Sequence, residues 1–168
     1  RPLVDYVIEA IRCQNSNILI NANQNLEVYR SFGLPVFEDQ MRDFQGPLAG
    51  VASAMGQVKT PYILTLPCDA PFVLPDYQQR MWSGLQAQQA DLAVAHDGER
   101  LQPVHALLPV SLREELQAFL SGKTRRVDAW YSRYAMGLVD FSDGAHMFHN
   151  LNSPALLEAY SLQQKRFL

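Results

Sequence analysis

Tyr62-Ile63-Leu64-Thr65-Leu66-Pro67-Cys68-Asp69 is the stretch on which the fold turns. Five residues of aromatic, aliphatic and β-branched character, closed by a proline, read as the strongest strand signal in the chain, and the chain leaves that strand at a carboxylate. Upstream, Val4, Val7, Ile8 and Ile11 mark one face of a helix over residues 4–13, with Pro2 at its first turn. Residues 17–21 read as a strand buried on both faces and 25–32 as a helix stopped at Gly33. Residues 35–37 read as a second strand and 47–55 as a helix entered through Gly46. Downstream, the pattern predicts a helix over 74–86, a strand over 91–95, a turn over 96–99 and a strand over 104–108. Helices over 112–120 and 127–134, a strand over 138–141 and a helix over 155–165 follow. Strands that alternate with helices in this way predict an α/β fold with a mostly parallel central sheet covered by helices. A helix comes first, whereas such a sheet ordinarily starts on a strand, so a leading strand is expected ahead of Arg1.

Composition narrows the classes. The 168 residues are 48% hydrophobic and 18% charged, with 14 basic against 17 acidic side chains and a net charge of -3. A chain of that size buries roughly 70% of the surface its unfolded form exposes, enough for one domain over 1–168 without disulfides or structural metal. Two cysteines, Cys13 and Cys68, make no disulfide framework. The acidic balance argues against broad nucleic-acid binding, which rests on many Lys and Arg contacts to phosphate. No stretch reaches the roughly 20 apolar residues of a membrane span, and a cytoplasmic location is expected.

Ligands of open α/β sheets bind beyond the carboxyl ends of the strands. Asp69 falls there and suits a divalent cation that takes one or two carboxylates plus substrate phosphates; capping of the next helix is the other use for such an Asp. Gly46-Pro47-Leu48-Ala49-Gly50 opens a helix with small residues and unpaired amides, as a phosphate or base site would and as many ordinary helix starts do. Asn21 with Asn23, and Asn150 with Asn152, offer donors and acceptors for a heterocycle or sugar, or serve turns. Lys123-Thr124-Arg125-Arg126 is the densest basic cluster, read as an anion site or as solvated surface. Cys68 has an acidic neighbour and reads as a small buried hydrophobe rather than a nucleophile, and the four histidines have no metal-ligand spacing.

Asn21-Ala22-Asn23, Glu38-Asp39, Gly46-Pro47-Leu48-Ala49-Gly50, Leu66-Pro67-Cys68-Asp69-Ala70-Pro71, His96-Asp97-Gly98-Glu99-Arg100 with Pro103, and Asn150-Leu151-Asn152-Ser153-Pro154 stand in one colinear order. In that order they resemble the molybdenum cofactor guanylyltransferase family over nearly the whole chain. The resemblance implies a three-layer Rossmann-like nucleotide-transferase fold and transfer of GMP from GTP to molybdopterin, with pyrophosphate released and Mg2+ as cofactor. It implies that Asn21 and Asp39 contact the nucleotide, that Gly46, Pro47 and Leu48 line its site, and that Asp69 is catalytic, holding nucleotide and metal. It further implies that Arg125, Arg126, Asn150 and Asn152 face molybdopterin, with a nucleotide-binding part about 1–95 and a molybdopterin-facing part about 96–168. Cofactor-delivery and acceptor proteins are implied as partners. Members of the family begin with a strand and a glycine-rich loop carrying Arg and Lys, which the resemblance places ahead of Arg1. Cytidylyl transfer to the same cofactor, nucleotidyl transfer to a sugar phosphate and a non-catalytic binding module are the alternatives.

Overall fold

The computed structural model describes residues 2–40 and 46–151. The expected helix over 155–165, like Asn152, lies outside the described residues. Helix α1 (Leu3–Arg12) buries Val4, Val7, Ile8 and Ile11, the positions the periodicity marks, and carries Asp5 in its first turn and Arg12 in its last, each favourable to the helix dipole. Strand β1 (Ile20–Asn21), helix α2 (Leu26–Arg30) and strand β2 (Val36–Phe37) follow, and the two strands pair in parallel, Ile20 opposite Val36 and Asn21 opposite Phe37. The strand expected over 17–21 is thus only two residues long with Asn21 exposed, because β2 offers only two residues to pair with.

Helix α3 (Pro47–Met55) leads to strand β3 (Tyr62–Leu64), helix α4 (Tyr77–Ala87), strand β4 (Leu92–His96) and strand β5 (Leu101–Pro109). Helix α5 (Arg113–Leu120), helix α6 (Val127–Tyr131) and strand β6 (Met136–Asp140) complete the regular elements, with a 3-10 segment over Ser142–Phe148 that the sequence pattern leaves out. The second sheet has the order β3-β5-β4-β6. β4 and β6 are parallel, and β5 is antiparallel to both β3 and β4, so three strands share one direction and β5 opposes them. Among the described residues the two sheets share no strand pairing.

The alternation of side chains across β4 and β5 builds three layers. Leu92, Val94, Ala106 and Leu108 face Leu48, Ala52 and Met55 of α3, with Leu116 and Phe119 of α5 and Trp130 of α6. Ala93, Ala95 and Leu107 face the other way, against Tyr77, Met81 and Leu85 of α4 and Val7 and Ile11 of α1. Val4 and Ile8 of α1 turn instead to Ile20 and Ala22, so α1 clamps the small sheet to the large one. Burial on both faces explains why β4 is apolar from Leu92 to Ala95.

Two irregularities matter below. β5 carries a bulge: Val94 pairs with Ala106 but the next residue, Ala95, pairs with Gln102, which leaves Pro103, Val104 and His105 as extra residues. Along α4, Arg80, Gly84 and Gln88 lie on one stripe facing β6. The Arg80 guanidinium donates to the Asp140 carbonyl, Gln88 both donates to the Leu138 carbonyl at 2.9 Å and accepts from its N–H at 3.0 Å, and a Cβ at Gly84 would lie 2.7 Å from Val139.

Candidate functional site

The first cluster sits where β1 and β2 end. Asn21 Nδ2 donates to Asp39 Oδ1 at 2.8 Å and Asn23 Nδ2 donates to Asp39 Oδ2 at 2.9 Å, while Asn23 Oδ1 accepts the Asp39 backbone N–H at 2.9 Å. The Asn23 amide therefore holds both the main chain and the carboxylate of Asp39. Asn21 Nδ2 also lies 3.4 Å from the Phe37 carbonyl, so its neighbours there are acceptors and its Oδ1 must turn the other way. It turns onto α3: a Cβ at Gly50 would stand 2.5 Å from Asn21 Oδ1 and 3.5 Å from Asp39 Oδ1, closer on the first count than real side chains approach. One turn into α3 the next contact repeats this, with the Gln40 N–H donating to the buried Ser53 hydroxyl at 2.9 Å.

Gly46 and Pro47 set the entry into α3. Gly46 is at φ 126°, a conformation open to glycine, but a Cβ there meets nothing within 4 Å. It bends the chain into α3, Pro47 supplies the fixed first helical residue, and Leu48 is buried in the core against the sheet. The glycine that makes room at the cluster is Gly50. Its signal was its spacing, one helical turn beyond Gly46 and hence near the same end of α3.

Asp69 lies on the loop that follows β3. Its side chain is half-buried and has no hydrogen-bond or ion-pair partner among the described residues, while its backbone carbonyl accepts the Leu151 N–H at 2.9 Å. That bond brings the exposed Asn150 onto the loop of Asp69. Cys68 is exposed, not buried as expected from its type, because the loop turns outward there; partial burial of the thiol and the adjacent Asp69 carboxylate raise its pKa, so it stays protonated. No hydrogen bond joins Asp69 to the Asn21, Asn23 and Asp39 cluster among the described residues. No group of three or more His, Cys, Asp or Glu there forms a metal cage, so Asp69 fits a cation bound by one carboxylate and by substrate oxygens.

One histidine sits in an environment that its place in the sequence does not announce. His105, in the β5 bulge, is 3% exposed, and neither ring nitrogen has a partner. Its ring meets Phe148 at 4.8 Å and Tyr77 at 6.1 Å, edge to face, and burial lowers its pKa to about 4, which keeps the imidazole neutral. The predicted turn at His96-Asp97-Gly98-Glu99 forms the β4–β5 hairpin, where Asp97 accepts the Glu99 and Arg100 N–H groups at 2.8 and 2.7 Å and the Gln102 amide at 2.8 Å. These bonds hold the Asp97 carboxyl below its ordinary pKa. The basic cluster is exposed ahead of α6, and Arg126 is committed to a two-point pair with Asp128 at 3.0 and 2.5 Å.

Residues 1–135 match the family model described as the MobA-like NTP transferase domain. The molybdenum cofactor guanylyltransferase of Shewanella woodyi is 43% identical over 154 residues, which are 92% of this chain and 79% of that protein. That of Shewanella amazonensis is 42% identical over 161 residues, 96% of this chain and 82% of that protein. Among solved structures, the molybdopterin-guanine dinucleotide biosynthesis protein A of Archaeoglobus fulgidus superposes with a TM-score of 0.72 at 17% identity, covering 97% of this chain and 86% of that one. The 2-C-methyl-D-erythritol 4-phosphate cytidylyltransferase of Thermus thermophilus does so with a TM-score of 0.68 at 19% identity, covering 98% and 90%. The fold is therefore that of nucleotidyltransferases, and it is shared by enzymes that take different bases.

Proposed function

Because the chain belongs to the family of MobA-like NTP transferase domains, we propose that it transfers GMP from GTP to molybdopterin and releases pyrophosphate. One geometric observation carries the reading: the 2.9 Å bond from the Leu151 N–H to the Asp69 carbonyl. Transfer between two bound substrates requires their reacting ends to adjoin, and this bond ties the main chain of the residue whose unpartnered carboxylate is expected at the nucleotide phosphates to the Asn150 segment expected to face molybdopterin.

In this reading Asn21 and Asp39 hold the base, the start of α3 at Gly46, Pro47 and Leu48 walls its site, and Asp69 holds Mg2+. Arg125, Arg126, Asn150 and Asn152 face molybdopterin. A magnesium ion bound there supplies positive charge for the phosphoryl oxygens. The terminal phosphate of molybdopterin is itself the nucleophile, attacking the α-phosphorus in line with the departing pyrophosphate, so the protein's task is alignment and charge neutralisation rather than covalent catalysis. The nucleotide part spans about 1–95 and the molybdopterin part about 96–168 of one domain, working in the cytoplasm with proteins that deliver or accept the cofactor. No helix among the described residues is long and apolar enough to cross a membrane.

The test is pyrophosphate release from GTP and magnesium on addition of molybdopterin, with CTP as the competing nucleotide. Release with GTP is expected. Release with CTP alone, or protection from thermal unfolding by CTP and not by GTP, would overturn the assignment.

A further inference from the structure

The Asn21, Asn23 and Asp39 cluster contains more order than nucleotide contact alone requires, and the excess comes from Asn23. Its amide makes two bonds to a single residue, one to the Asp39 carboxylate and one to the Asp39 backbone N–H, and that pairing fixes which end of the amide is which. Asn21 holds the other carboxylate oxygen, and Gly50 leaves the space into which Asn21 Oδ1 projects. Each Asp39 oxygen therefore gives one lone pair to the protein and keeps others, and with Asn21 Oδ1 the free atoms of the cluster are all acceptors. An acceptor-only face matches a base edge made of donors. Guanine presents two adjacent donors, N1–H and the 2-amino group, which a fixed carboxylate can take at two points. Cytosine presents two acceptors beside its single amino group, and these would face the carboxylate without a proton between them.

Resting on the guanylyltransferase reading and deepening it, we infer that Asn23 is a specificity-determining positioning residue, one that orients the Asp39 carboxylate so that it accepts N1–H and the 2-amino group of guanine together. Asn23 acts through Asp39 and touches the base only by that route. A carboxylate tied on one side alone can still accept one donor but loses the two-point geometry, so the discrimination goes first.

The experiment is calorimetric titration of the protein and its Asn23→Ala and Asn23→Ser variants with GTP, ITP and CTP in the presence of magnesium. ITP keeps N1–H and lacks the 2-amino group. Wild-type protein is expected to bind GTP at least tenfold more tightly than ITP, and CTP more weakly still. In Asn23→Ala the GTP affinity is expected to fall about tenfold while ITP changes less than threefold, so the preference collapses, because a bond to a charged group is lost on only one of the two contacts. Asn23→Ser, which keeps a short donor, is expected to recover part of the preference. Equal losses for GTP and ITP, or an unchanged GTP to ITP ratio, in whichever variant folds, would overturn the positioning role. Absence of GTP binding by wild-type protein would instead overturn the guanylyltransferase reading, so the two failures are told apart.

Discussion

Replacing His105 by Phe should stabilise the protein and remove an acid sensitivity, and both effects can be worked from the burial of this one ring. In the folded protein the imidazole is almost wholly buried, both nitrogens lack partners, and its pKa lies at about 4 against 6.5 for a free histidine. A neutral imidazole is a base with a depressed folded pKa, so protons bind the unfolded chain first. Its neutral form costs nothing in ionisation above pH 6.5, and stability then falls as the pH drops toward about 4. At about 1.4 kcal/mol per pKa unit the full penalty is about 3 kcal/mol, of which about 1.4 kcal/mol is felt by roughly pH 5.5. Independently of pH, the buried N–H without an acceptor costs about 1–3 kcal/mol, which a phenyl ring among Tyr77, Phe141 and Phe148 removes. Urea unfolding of wild type and His105→Phe at pH 7.5, 6.5, 5.5 and 4.5 measures both. The variant should lead by about 1–2 kcal/mol at pH 7.5, and the lead should widen by about 2–3 kcal/mol at pH 4.5. A lead that stays constant across this range, or a His105 ring resonance titrating near 6.5, would refute the reasoning.

Three further outcomes follow from the site. Gly50→Ala places a Cβ 2.5 Å from Asn21 Oδ1, so it should weaken GTP binding about tenfold in a titration, with a smaller change in Tm. Gly46→Ala meets no atom but must adopt φ 126°, so it should cost about 1–3 kcal/mol of stability in denaturant unfolding. Because the start of α3 walls the proposed nucleotide site, GTP affinity measured on the folded fraction should fall as well, and an unchanged affinity would leave Gly46 a purely structural role. Asp69→Asn should lower kcat by about two to three orders of magnitude at an unchanged melting temperature, and full activity at saturating magnesium would remove Asp69 from the proposed metal site.

Legibility in the sequence tracked how local the determining interaction was. Helix α3 is found over the residues expected because Gly46-Pro47 and Gly56 punctuate both of its ends. Strand β4 is shifted by a single residue from the expected 91–95, since burial on both faces writes an unbroken apolar run. The direction of β5 was also within reach: the four residues from Asp97 to Arg100 can join only antiparallel neighbours, because a parallel return needs a crossover of a dozen or more. The small sheet shrank because strand length is set by the partner and not by the strand's own residues. In the candidate site, Asn21, Asp39 and Asp69 stand at or shortly after strand ends, a placement that the alternation of strands and helices already implies. The Asn23 clamp and the His105 burial depend on pairings 16 residues apart in one case and on a bulge in the other, and neither leaves a periodic trace.

The α4 stripe of Arg80, Gly84 and Gln88 bears on how this protein behaves when crowded. Among the described residues β6 ends the sheet, and a terminal strand whose outward N–H and C=O groups are open is a template for pairing with another chain. Here the Gln88 carboxamide imitates a peptide unit against Leu138, Arg80 takes the Asp140 carbonyl, and the missing side chain at Gly84 lets the helix come close enough for both. The helix acts as a substitute neighbouring strand. Leu138 keeps an apolar side chain 46% exposed at this border, yet its own backbone N–H and C=O are already taken, so the strand offers a second chain no continuous ladder at its centre.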